Sequence, residues 1–196
     1  MRRYSRLAIV VSHVSSEDGL SPENDVVQMT NGNTMVEVSD FANAIHLLPP
    51  GSEVAVVATG TVGNTTVHNL SRIIRESDVF VTLDLSSVTE LSHVVESPFQ
   101  DNTRLRAIHF PCNLLSINSR AFAGCTALSS VIIPATVTKI GAEAFSGCEN
   151  LHHLEFKNPS GWKCNGTLLD DLDSPFENPA KFVCEGGNYW GTELTK

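Results

Sequence analysis

The chain has 196 residues, of which 41% are hydrophobic, so it is long enough to bury one sizeable core. It is acidic, with a formal net charge of −9, and the segments 1–98, 99–157 and 158–196 carry −7, +1 and −3. This distribution excludes the basic stripe that nucleic-acid backbones require, so no nucleic-acid partner is expected. No window approaches the roughly 18 apolar residues of a membrane-spanning helix, so no transmembrane segment is predicted.

Residues 1–35 are predicted to be a mobile leader or loop. Residues 12–35 are rich in Ser, Asn, Asp and Gly, and their apolar content is too low to pack independently. The apolar run Leu7–Val11 follows three arginines but is shorter than the roughly 7–15 residues of a signal-peptide core. A strand or an unstructured leader is therefore expected there, with a cleaved signal peptide as the alternative.

Residues 36–98 are predicted to form two atypical entry units, each with a helix and a strand. Residues 39–48 have helical spacing after a capping serine, and Pro49 and Gly51 end the helix. A strand is predicted at 54–58, followed by the second helix at 67–74 and the second strand at 79–85.

Residues 99–157 contain three copies of one sequence motif at a spacing of 23 residues: Phe99–Leu105, Phe122–Leu128 and Phe145–Leu151. A fixed period of about 20–50 residues is typical of a solenoid. Because so short a unit cannot bury its own apolar face, its stability must come from stacking on its neighbours.

Each repeat is predicted to contribute one strand to a parallel sheet. In the second copy Val131 and Ile133 are two residues apart and point inward, while Ser130 and Ile132 point outward. Pro134 ends the strand because proline lacks the donor of a continuing ladder. The equivalent positions Asn102, Cys125 and Cys148 are interpreted as buried small groups near a turn.

These phrases resemble the bacterial leucine-rich repeats of the treponemal, BspA-like type, whose consensus is roughly LxxIxIPxxVxxIGxxAFxxCxx. Residues 133–151 fit it at nearly every defined position, whereas the first copy has Asn118 in place of the glycine. The resemblance implies an α/β leucine-rich repeat solenoid, with a parallel sheet on one face and short helices or turns on the other. It implies a protein-interaction scaffold, often exported or on the cell surface, with no catalytic residues and no cofactor.

Residues 158–196 are predicted to form an aromatic C-terminal cap that covers the end of the solenoid. The sharper hypothesis is that Trp162 or Trp190 lines a pocket where the cap meets the last coil. Cys164 and Cys184 are candidates for a disulfide if the protein is exported, and the odd number of five cysteines leaves at least one unpaired in a monomer. The sequence leaves the compartment open.

The outward strand positions form the predicted protein-binding surface, which we call the sheet face. Its eight residues form two columns: Thr82, Ala107, Ser130 and His153, beside Asp84, His109, Ile132 and Glu155. The alternative is that these side chains are merely solvated, since every solenoid has such a face.

No pattern predicts an enzyme or a metal site. His152 and His153 are adjacent and face opposite sides of a strand, so they do not readily share a metal ion. The sequence contains no nucleophile elbow, Walker loop or dinucleotide fingerprint. The leading hypothesis is a non-enzymatic scaffold that binds a protein, with a host or cell-surface protein among the candidates. The alternatives are a small apolar ligand in a pocket at the entry-unit or cap junction, and self-association.

Overall fold

The computed structural model describes residues 7–13, 25–31, 34–38, 41–164, 167–168, 183–184, 187–188 and 194–195. Side chains are described for residues 41–163, Leu194 and Thr195. The two helices of this part of the chain are α1 (Phe41–His46) and α2 (Asn64–Glu76). Its strands are β1 (Leu7–His13), β2 (Asp25–Asn31), β3 (Thr34–Val38), β4 (Glu53–Thr61), β5 (Phe80–Thr89), β6 (His93–Val94), β7 (Leu105–His109), β8 (Ser116–Ile117), β9 (Ser130–Ile133), β10 (Lys139–Ile140), β11 (His153–Phe156), β12 (Lys163–Cys164), β13 (Thr167–Leu168), β14 (Val183–Cys184), β15 (Gly187–Asn188) and β16 (Leu194–Thr195).

The main sheet is mostly parallel, as the sequence predicts for a repeat fold. Within the described residues its strand order is β11-β9-β7-β5-β4-β1-β2-β3. Every pair from β11 to β1 is parallel, and β2 and β3 add an antiparallel edge. The helices of the entry units lie close to their predicted positions, with α1 and α2 preceding β4 and β5.

The N-terminal part of the chain differs from its prediction. Strands β1 and β2 lie inside residues 1–35, where a leader or loop is expected, and β3 crosses the end of that range. All seven residues of β1 are in parallel register with β4, from Leu7 opposite Val54 to His13 opposite Gly60. The strand expected as one possibility at Leu7–Val11 is present, whereas its pairing with β4 and the strands β2 and β3 were not predicted, because a ladder depends on a distant partner strand.

A second sheet of two-residue strands lies behind the regular repeats. Within the described residues its order is β13-β12-β16-β10-β8-β6, and β6, β8 and β10 are parallel. The C-terminal strand β16 lies antiparallel between β10 and β12, with Leu194 buried opposite Ile140. Where side chains are described, the inward residues of both sheets belong to one apolar core.

A column of phenylalanine rings runs through the core at the repeat spacing. Phe122 stacks on Phe99 with ring centroids 5.1 Å apart and on Phe145 with centroids 5.3 Å apart. The interplanar angles are 7° and 6°, and Phe110 meets Phe122 edge-on. All of these rings are buried. The column therefore holds three successive repeats together through contacts that a single repeat cannot make.

A second column consists of buried hydrogen-bond donors. The Cys125 thiol donates to the Phe99 carbonyl at 3.0 Å, and the Cys148 thiol donates to the Phe122 carbonyl at 3.1 Å. Burial raises the pKa of the Cys125 thiol and raises that of Cys148 to about 12, so both stay protonated donors at neutral pH. Each thiol thus links its repeat to the one before it.

Asn102 takes the same position where the first regular repeat meets helix α2. Its amide nitrogen donates to the Ser71 carbonyl at 3.0 Å and to the Ser71 hydroxyl at 3.2 Å. Its amide oxygen accepts the Arg104 backbone N–H at 3.2 Å. An amide supplies both a donor and an acceptor. Asn102 therefore joins a helical unit to a repeat that begins with a turn.

The turn at Asn118 keeps the geometry of its glycine counterpart. The Asn118 N–H donates to the Val94 carbonyl at 2.9 Å, just as the Gly141 N–H donates to the Ile117 carbonyl at 2.7 Å. A Cβ on Gly141 would lie 2.3 Å from the backbone nitrogen of Ser119. Glycine is therefore needed at 141 for close approach of the turns, whereas the turn at 118 accommodates asparagine.

We expect Phe122→Ala to lower the free energy of unfolding by about 3–5 kcal/mol, because it removes the central ring of the stack and leaves a cavity. Urea titration measures the change. Leu47→Ala is the control, since Leu47 is 77% exposed and its loss should cost under about 0.5 kcal/mol. A Phe122→Ala cost below about 1 kcal/mol would show that the stack does not stabilise the repeats.

We expect Asn102→Ala to cost about 1–3 kcal/mol, because it removes two buried hydrogen bonds to Ser71 and leaves the part-buried Arg104 N–H without its Asn102 acceptor. The matched control is Asn150→Ala, which removes an exposed bond to the Thr126 carbonyl and should cost less than about 1 kcal/mol. Equal costs for the two variants in urea titrations would contradict the joining role of Asn102.

Candidate functional site

The structure brings the first predicted column of the sheet face together on four adjacent strands. Thr82 of β5 is in register with Ala107 of β7, which is in register with Ser130 of β9. Ser130 is in turn in register with His153 of β11. All four are partly exposed, whereas the intervening strand residues are buried. The alternation of the strands therefore presents this column to solvent.

The second predicted column lies two residues further along the same strands. Asp84 is in register with His109, and Ile132 is in register with Glu155. Ile132 is a large apolar side chain with 38% of its surface exposed. The eight residues singled out by the sequence thus share one surface, which is polar apart from Ile132 and Ala107.

Strand β4 extends the sheet face, and the sequence analysis missed this extension. Ala55 and Val57 are in register with Thr82 and Asp84, and both are partly exposed. The buried alternation of Val54, Val56 and Ala58 is the signal that would have placed them there. A depression of about 350 Å³ opens at this end of the face, lined by Glu53, Val54, Ala55, Val57, Thr82, Asp84 and His109.

Asp84 is one of the two carboxylates that line the depression. Its partial burial by itself raises the pKa of the carboxyl, but the hydrogen bonds from Ser86 and the nearby His109 outweigh that effect and hold the pKa below its usual value. The Ser86 backbone N–H donates to Asp84 Oδ1 at 2.9 Å. His109 Nδ1 lies 3.7 Å from Oδ2. Asp84 is therefore a fixed negative charge at neutral pH.

Glu155 carries the charge at the other end of the face. Lys157 Nζ donates to Glu155 Oε1 at 2.6 Å, and His153 Nε2 lies 3.8 Å from Oε2. The Lys157 hydrogen bond is the main reason that the pKa of Glu155 lies below its usual value. Unlike Asp84, Glu155 is therefore already paired with a lysine.

A bulge places Arg106 at the edge of the depression. The register passes from Leu105 opposite Val81 to Ala107 opposite Thr82, so Arg106 is the extra residue of β7. Its guanidinium lies 4.5 Å from the centre of the Phe80 ring, and its Nη1 lies 2.7 Å from Glu53 Oε1. Arg106 therefore neutralises Glu53 and leaves Asp84 as the carboxylate of the depression without a lysine or arginine contact among the described residues.

Trp162, the aromatic cap residue whose side chain the structure describes, does not lie on the sheet face. Trp162 is buried, meets Phe156 edge-on with centroids 5.3 Å apart, and donates its indole N–H to the Asn158 carbonyl at 3.0 Å. Trp162 therefore packs at the end of the last coil, and the other cap residues of the proposed pocket lie outside the described residues, so the pocket stays a prediction. Trp190 lies outside the described residues, as do the side chains of Cys164 and Cys184. In the described part of the chain, no helix is long and apolar enough to cross a membrane.

The fold and the repeats define a leucine-rich repeat region. The sequence model of one family, described as "BspA type Leucine rich repeat region (6 copies)", matches residues 76–162, which run from the end of α2 through β5 and the regular repeats to Trp162. This stretch belongs to the BspA-type leucine-rich repeat family, which confirms the resemblance drawn from the repeat phrases. No curated protein matches the chain. Repeat families of this kind are typically non-enzymatic and suggest a role in protein–protein interaction.

We expect Asp84→Asn to lower stability at neutral pH and to leave it unchanged in strong acid. The folded-state pKa of Asp84 lies below its ordinary value of 3.8, so its stabilising contribution is complete above that value and disappears as the pH falls through the folded-state pKa. Urea titrations at pH 7 and about pH 2 measure the difference between wild type and variant.

The control variant is Glu96→Gln, which removes one negative charge from an exposed residue elsewhere in the protein. A difference between wild type and Asp84→Asn that persists undiminished at the lower pH would contradict the stabilised charge of Asp84.

Proposed function

We propose that the protein is a non-enzymatic scaffold that binds another protein through the sheet face. The observation that supports this most strongly is the register of β5, β7, β9 and β11, which aligns alternate side chains of four strands on one surface. Such a surface offers many weak contacts over several repeats, which suits a protein partner better than a small molecule. Exposed Ile132 supplies an apolar contact within a polar surround.

The two ends of the sheet face carry different sets of charged groups. Asp84 and His109 lie at one end, and Glu155, His153 and Lys157 lie at the other. Such an arrangement selects a partner by charge complementarity and disfavours the same partner in the wrong register.

The depression does not favour a small apolar ligand as the main function. Its lining includes Glu53, Asp84 and His109 beside the aliphatic Ala55 and Val57. An apolar ligand would desolvate Asp84 without giving it a partner, which is costly. We therefore assign the depression to the protein-binding face.

The test compares proteins captured from extracts and surroundings of the source cells by immobilised wild type and variants. The face variant combines His109→Glu with Glu155→Lys, and its matched control combines Thr138→Glu with Glu96→Lys. Both pairs change the formal charge equally, and Thr138 and Glu96 are exposed near the second sheet. Quantitative mass spectrometry measures each captured protein.

We expect at least one protein to be retained by wild type and the control and to fall about tenfold or more with the face variant, a loss of about 1.4 kcal/mol. Circular dichroism should show that all three proteins are folded at the temperature of capture; the face variant should melt slightly lower, because its new charges lie beside Asp84 and Lys157. Equal capture by the face and control variants would reject the sheet face as the binding surface. Light scattering separates capture of a foreign protein from self-association, in which the retained protein is the chain itself.

A further inference from the structure

The depression at the β4–β5–β7 end of the sheet face has the chemistry of a site for one basic side chain. Its volume of about 350 Å³ lies at the lower end of the roughly 300–1,000 Å³ typical of ligand pockets. It therefore has room for a side chain that projects from a partner, rather than for a large ligand.

The lining combines an aliphatic wall with a fixed negative charge. Ala55 and Val57 are partly exposed on β4, and Thr82 and Asp84 are their register partners on β5. The stems of lysine and arginine pack well along aliphatic surface while their charged ends reach a polar group. A wall of two aliphatic residues beside a carboxylate matches both parts of such a side chain.

The two carboxylates of the depression, Glu53 and Asp84, differ in their existing ionic partners. Glu53 Oε1 lies 2.7 Å from the Arg106 guanidinium. Asp84 is held by Ser86 on one oxygen, and the nearest ionic group to the other oxygen among the described side chains is His109 at 3.7 Å. A cation that enters the depression therefore gains an ionic contact with Asp84 without displacing a lysine or arginine.

The partial burial of Asp84 would make its ion pair with a basic side chain contribute to the choice of partner. Asp84 is about two-thirds buried, with 29% of its side chain exposed, so an ion pair formed there is less screened than one on the open surface. The net charge of −9 also favours the approach of a basic partner.

From these observations we infer that the depression receives a lysine or arginine side chain of the partner protein, with Asp84 as its counter-ion. The inference rests on the proposed function, because it gives the chemistry of one contact on the same face. It also predicts that the partner presents a basic residue on a protruding segment, beside a surface that contacts Ile132.

The test is an NMR titration of the full chain with N-acetyl-arginine methylamide at neutral pH. We expect saturable shifts of the backbone amides of Ala55, Thr82 and Asp84, with half-saturation at about 1–10 mM, as for a weak single-side-chain contact. The citrulline analogue has the same shape without the charge and should bind about tenfold more weakly. The norleucine analogue, which is purely apolar, should behave like citrulline.

Two variants test whether the arginine probe contacts Asp84. Asp84→Asn keeps the oxygen that accepts the Ser86 N–H and should weaken arginine binding about fivefold or more, whereas Glu96→Gln removes one exposed charge elsewhere and should leave it unchanged. Amide spectra of the free variants show that both are folded. Equal binding of the arginine, citrulline and norleucine probes, no saturable shift, or equal effects of the two variants would each overturn the inference.

The capture experiment on the sheet face separates this inference from the proposed function. If partner capture depends on His109 and Glu155 but no arginine probe binds the depression, the inference fails and the binding face stands. If the arginine probe binds through Asp84 but the face variant captures the same proteins as its control, the site for a basic side chain stands and the proposed face fails.

Discussion

The stacked rings of Phe99, Phe122 and Phe145 hold three repeats at one spacing, and the arrangement of both sheets depends on that spacing. A shift of one residue between neighbouring repeats would separate the rings and turn the strand side chains to the opposite face. The thiols of Cys125 and Cys148 reinforce the same alignment through buried bonds to the preceding repeat. Core packing therefore aligns the solvent-exposed columns, although none of the core residues reaches the surface.

The junction between the helical units and the regular repeats is the second constraint. Asn102 replaces the cysteine of the later copies because its partner, Ser71, lies on a helix and offers a carbonyl and a hydroxyl. This junction keeps β4 and β5 parallel and adjacent to β7, so the sheet face continues without a break from the entry units into the repeats. The depression around Asp84 forms at that transition, where the bulged Arg106 interrupts the register.

The repeats made much of this arrangement predictable. The spacing of Val131 and Ile133 was enough to predict which side chains of β9 are buried and, by the repeat, which residues of β5, β7 and β11 lie beside Ser130 and Ile132. A strand at Leu7–Val11 was one of two expectations, but its pairing with β4 and the strands β2 and β3 could not be predicted, because they depend on contacts with distant segments and not on local composition. The bulge at Arg106 and the joining role of Asn102 depend on contacts between residues far apart in sequence, and no local pattern reports them.

The central claim is that the partner lies on the sheet face and not on the second sheet. The most direct measurement replaces Ile132, and separately Thr138, with a photoreactive amino acid and records which position forms a covalent adduct with the captured protein. Both sites are exposed and belong to the same repeat: Ile132 lies in β9 of the main sheet, and Thr138 immediately precedes β10 of the second sheet. We expect an adduct from position 132 and none from position 138. An adduct from position 138 with none from position 132 would contradict it.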